Sequence, residues 1–123
     1  MPTQSIPLAD WQTFFDRFSR QHAGWLCTVA ILSTDGRAGL EARQIPLEGV
    51  TLDLIDGGRT VSIILRGKGS EHVTRIVRGP QSVVLRQTEQ GADEAVVIES
   101  GDGTKTILRF RSAMLAEMVD GVP

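Results

Sequence analysis

Tyrosine is absent, cysteine occurs once, histidine twice, and two lysines stand against eleven arginines. The lone Cys27 excludes an internal disulfide framework and any cysteine-rich zinc site. His22 and His72 lie far apart, neither with a second histidine at a ligand spacing, so no metal site and no cofactor is expected. No apolar run approaches the ~18 residues that span a bilayer, which argues against a membrane partner. Residues 1–7 are short, polar and punctuated by proline, with no basic region leading into an apolar stretch. The expectation is a soluble cytoplasmic protein. Aromatic residues are 5% and the net charge is −2, a poor basis for stacking on bases or neutralising phosphates. Nucleic acid is therefore not expected as a partner.

What is present suits one globular domain. The 123 residues are 41% apolar and 23% charged, and no internal repeat, linker or low-complexity tract divides them. Residues 8–22 read as a helix, because Trp11, Phe14, Phe15 and Phe18 fall at i, i+3, i+4 and i+7 on one stripe. Pro7 suits its start and Gly24 its C-terminal cap.

After Gly24 the apolar period changes to two. Asp35-Gly36, Asp56-Gly57 and Asp102-Gly103 mark tight turns, and Gly67-Lys68-Gly69-Ser70 reads as another. Ile45 to Gly49 reads as a connector, since Pro46 is disfavoured in a central strand. The result is about eight short strands over residues 24–111, with residues 112–123 as a tail of one or two helical turns around Met114, Leu115 and Met118. Connections this short permit only antiparallel neighbours. The expected fold is α+β and mainly β: an amphipathic helix on a curled antiparallel meander, as a half-barrel or barrel-like sheet.

The near-neutral total conceals a polarity. Residues 59–86 hold six bases and one acid, whereas residues 89–102 hold five acids and no base. One reading is internal, with Arg86, Arg109 and Arg111 flanking Glu99 across strands. The other is external, the basic edge docking on an acidic protein partner or on a second copy.

Catalytic chemistry finds little support, and no catalytic residue is assigned. The Gly67–Ser70 turn lacks the spacing of a phosphate loop and precedes a strand. No Gly-x-Ser-x-Gly elbow occurs. Cys27 sits in the most apolar strand, where a thiol is an inert core residue. A hydrolase-like enzyme built on His72 is the weakest reading. A small anion held by Arg75, Arg86 or Arg109 in the concavity of the half-barrel is a stronger alternative.

Ile64, Val84, Val97 and Ile107, together with Ile55, fall on the faces that alternation turns outward. Aligned across neighbouring strands they would form an interface patch. Combined with the charge blocks, this makes a non-enzymatic, self-associating interaction module the leading expectation.

The segments Trp11–Gly24 (WQTFFDRFSRQHAG), Ile45–Val50 (IPLEGV), Gly91–Ala95 (GADEA) and Leu108–Ser112 (LRFRS) resemble a family of small uncharacterised bacterial proteins, a domain of unknown function. The resemblance spans nearly the whole chain and implies a bacterial, stand-alone, single-domain protein. It carries no catalytic residue, cofactor or partner to transfer.

Overall fold

The computed structural model describes residues 3–67 and 71–114. A short strand β1 (Thr3–Ser5) and a single 3-10 turn (Leu8–Asp10) lead into helix α1 (Trp11–His22). Seven strands follow: β2 (Leu26–Leu32), β3 (Ala38–Ile55), β4 (Gly58–Arg66), β5 (His72–Arg78), β6 (Pro80–Gln87), β7 (Asp93–Ser100) and β8 (Lys105–Met114). All eight belong to one antiparallel sheet in the order β1-β6-β7-β8-β2-β3-β4-β5, with β1 and β5 as its edges among the described residues. The α+β, mainly β class and the helix packed on an antiparallel sheet are as the sequence indicates. The sheet curls but stays open.

The strand order refines the expected meander. Strands β2 to β5 form one run and β6 to β8 another, joined where β2 pairs with β8. Between the runs, β5 and β6 are consecutive in the chain yet unpaired. The corner is Gly79, at φ +62, a left-handed conformation that glycine adopts without steric cost. Its N–H donates to Arg59 O at 3.2 Å and its carbonyl accepts from Gly101 N at 3.0 Å. Those two bonds draw the β5 end of the sheet toward the β7–β8 hairpin and set the curl.

Pro46 does not interrupt the sheet, contrary to the sequence reading. It lies inside the 18-residue β3. The reason is a change of partners at that point. Pairing with β2 ends at Leu26↔Pro46, and pairing with β4 begins at Leu47↔Leu65. A proline N lacking hydrogen is tolerated where the ladder on one side stops. Gln44 at φ +50 and register shifts between Cys27 and Ala30 in the β2–β3 ladder bend the strand just before the transfer.

Beyond Pro46 the vacated edge of β3 is taken by α1. Ser19 Oγ accepts from Val50 N at 2.8 Å and donates to Val50 O at 3.0 Å. The helix stripe faces inward, with Trp11, Phe15, Phe18 and His22 buried. Phe15 and Phe18 join Cys27, Val29, Ile63 and Phe110 in one core cluster. Full burial of such a phenylalanine contributes roughly 1.5–3 kcal/mol. Gly24, at φ +87 just past the helix, lets Trp25 N return to His22 O at 3.0 Å.

The remaining sequence expectations are met in part. Strand β1 carried no strand signal in its three exposed residues. Residues 112–114 continue β8 rather than starting a helical tail, while residues 115–123 lie outside the described residues. So do residues 68–70 of the expected Gly67–Ser70 turn. No helix among the described residues is long and apolar enough to cross a membrane.

Candidate functional site: the outer sheet face and the helix cleft

One face of the sheet holds α1 and the core; the other is bare among the described residues. On that outer face the register aligns Ser5, Val84, Val97, Ile107, Ala30 and Leu40 as direct neighbours across β1, β6, β7, β8, β2 and β3. Val84, Val97 and Ile107, expected to be outward, thus form consecutive members of one apolar row. Leu40 at its end is 54% exposed. Ile64 is placed elsewhere, opposite Gly49 and Thr74, and Ile55 lies at the β3–β4 turn.

Charged rows border the apolar row on both sides. Two residues along the strands in one direction, Arg86 and Arg109 both pair with Ala95. Two residues in the other direction, Glu99 pairs with Ser82 and Lys105. The expected internal pairing of Arg86 and Arg109 with Glu99 is therefore overturned. The arginines flank Ala95, and the Val97 row separates them from Glu99. At roughly 3.4 Å per residue that separation is about 14 Å along the strand. The Arg111 side chain lies outside the described ones.

Of the three arginines considered for an anion, the structure brings Arg86 and Arg109 to one face with a single strand between them. Arg75 is on the inner face of β5, opposite Ile63, near Ser100, Asp102 and Thr104. His72, at the start of β5, is half exposed. Its Nδ1 contacts Glu48 Oε2 at 2.8 Å, while Glu48 Oε1 accepts from Arg66 Nε at 3.1 Å. Cys27 is buried and donates to Ile45 O at 3.3 Å, and burial pushes its thiol up to about 12.

On the inner side, a cleft of about 340 Å³ opens between α1 and the β6–β7 turn. His22 closes its floor. The imidazole stacks on Phe110 (4.8 Å between centroids) and lies tilted against Phe18 (4.2 Å), with the Trp25 ring edge-on at 4.4 Å. Its Nδ1 lies 2.8 Å from Phe18 O and its Nε2 2.9 Å from Asp93 Oδ2. A carbonyl and a carboxylate are both acceptors, so each ring nitrogen faces an acceptor. Asp93 Oδ1 accepts from Gln87 Nε2 at 2.9 Å. Burial pushes the Asp93 carboxyl up, but the hydrogen bonds from His22 and Gln87 outweigh it and hold the group below its ordinary value.

Sequence reasoning missed this pair. Strict alternation back from Ala95 would turn Asp93 to the outer face. A register shift between Asp93 and Ala95 re-aims it toward the helix. The available signal was Gly91-Ala92-Asp93, a turn whose Thr88 N–H donates to Ala92 O at 2.9 Å. Among the described residues, no three of His, Cys, Asp and Glu gather as metal ligands would.

A family model described as "Family of unknown function (DUF5335)" matches residues 2–119. The chain belongs to that family. The match takes in every described residue, so the outer row and the cleft both lie within the family segment. No curated protein and no solved structure matches the DUF5335 chain.

Proposed function

We propose that this DUF5335 protein is a non-enzymatic interaction module that self-associates through the outer face of its sheet. The observation supporting this is the row Val84, Val97, Ile107, Ala30 and Leu40, aligned by register and opposite the face that α1 covers. Scattered exposed aliphatics need no explanation, but an aligned row flanked by charge has the make-up of an interface core and rim.

The occupant is a second copy, because a two-fold operation brings Glu99 of each chain onto the Arg86–Ala95–Arg109 row of the other. A two-fold axis laid along the apolar row reverses strand direction and superimposes each row on its opposite number. Val97 then meets Val97, and Glu99 of the second copy lies over Ala95 between Arg86 and Arg109. The one like-charge overlap, Lys105 over Arg109, leaves Arg86 as the unopposed partner of Glu99. An isologous contact forms this arrangement twice.

Light scattering on the parent and on Ile107→Lys and Val97→Lys variants tests the reading. The parent is expected at twice the chain mass and both variants at the chain mass. A parent of single-chain mass at high concentration overturns it. Circular dichroism of each variant separates dissociation from unfolding.

A further inference from the structure

The cleft beside His22 has a chemistry of its own, independent of the outer face. We propose that it binds a small carboxylic acid with an aromatic or branched apolar body, the carboxylate held by Arg17 at its rim. Three features of the cleft carry this.

The first is its charge. Arg17 lines the cleft, and no carboxylate among the described residues lies within ion-pairing distance of it. The one acid in the cleft, Asp93, is already engaged at both oxygens by His22 and Gln87. With both Asp93 oxygens occupied, the Arg17 guanidinium is the cleft group left to select an anion. Its planar fork matches a carboxylate bidentately.

The second is its lining. Ile6, Phe14, Trp25 and Leu85 supply apolar walls, with Gln4 and Gln21 among the polar groups. One cation among such walls favours an amphipathic acid over inorganic phosphate or sulfate, which would leave the walls facing water. The volume, about 340 Å³, lies at the small end of the range for small-molecule sites.

The third is direction. A second hollow of about 330 Å³ shares Gln4, Ile6, Phe14 and Arg17 with the first, so Arg17 stands on their common wall. Asp10 lines that second hollow and repels an acid from it. The apolar body therefore lies on the Trp25 side, against Leu85 and Phe14.

Amide chemical shifts of the full-length protein, followed while adding phenylpropionate, isovalerate or phenylpropionamide, test the proposal. Saturable shifts at residues 85–93 and in the last turn of α1 are expected with at least one of the acids. The neutral amide should bind about tenfold more weakly or worse, as should either acid to Arg17→Ala, because a charge-assisted pair is lost. Absence of saturable shifts with both acids overturns the proposal. So does equal binding of acid and amide, or an Arg17→Ala variant that binds as tightly as the parent. Arg17 is exposed, so its removal leaves the core intact. The oligomeric mass plays no part in this readout, so this proposal and the self-association reading stand or fall separately.

Discussion

Asp93 Oδ2 lies 2.9 Å from His22 Nε2, which ties the last turn of α1 to the first residue of β7. The pair has a definite pH signature. The Asp93 carboxyl is held below its ordinary value in the folded chain. A depressed folded value means that the unfolded chain takes up a proton first as pH falls. The contribution is thus complete above the ordinary carboxylate value and is lost as pH drops through the folded one. Asp93→Asn should cost about 1.5–3 kcal/mol near neutral pH, the worth of hydrogen bonds to a charged group. Urea unfolding of parent and variant between about pH 6 and pH 2 checks this, since the gap should close toward the acid end. A constant gap would show that Asp93 contributes no proton linkage.

The Ser19 hydroxyl serves Val50 twice, as acceptor from its N–H and donor to its carbonyl. At this place β3 has left β2, so no strand can replace the lost bonds. Ser19→Ala should destabilise the fold by about 1–3 kcal/mol, the cost of part-buried backbone groups left without partners. Ser19→Thr keeps the hydroxyl and should lose less. Equal losses in the two variants would point to packing rather than to the hydroxyl.

Cys27 should be inert. Its thiol, pushed up to about 12 by burial, carries almost no thiolate at neutral pH and has no access to reagent. Alkylation by iodoacetamide is expected only in denaturant, with mass spectrometry reporting no adduct on the native chain. Because the folded value is raised, the neutral thiol favours the fold until the unfolded chain ionises near the ordinary thiol value. Stability should then decline as pH rises from there toward about 12.

The parts legible in sequence are those that depend on one segment at a time. The Trp11, Phe14, Phe15 and Phe18 stripe gives the helix and its buried face; Asp56-Gly57 gives a hairpin whose two residues both take positive φ. Alternation along β6, β7 and β8 gives the outward sides of Val84, Val97 and Ile107. It does not give their alignment, which depends on register between strands, and so it misplaced Glu99 beside Arg86 and Arg109. Pro46 was misread because the rule against proline in a central strand assumes a ladder on both sides of every residue. The His22–Asp93 pair was out of reach for a different reason. It needs both the packing of α1 and one extra residue of bulge before Ala95, and neither leaves a local pattern.

The register also makes self-association sensitive to charge in a specific way. Arg86 and Arg109 flank Ala95, while Glu99 lies on the far side of the Val97 row, too distant to reach them within one chain. If two copies meet along that row, each Glu99 gains two guanidinium neighbours that it lacks alone. Glu99→Arg then replaces two attractions with two repulsions at each end of the interface, and dissociation should strengthen by at least tenfold, about 1.4 kcal/mol. Adding Arg109→Glu to Glu99→Arg rebuilds one attraction at each end and should recover much of the loss. High salt should weaken the parent dimer and weaken the Glu99→Arg variant less, because screening acts on attraction and repulsion alike. Sedimentation equilibrium at low and high ionic strength measures all of these. If Glu99→Arg associates as tightly as the parent, the two-fold arrangement is wrong, since no other placement of the second copy puts Glu99 over Ala95 at both ends of one contact.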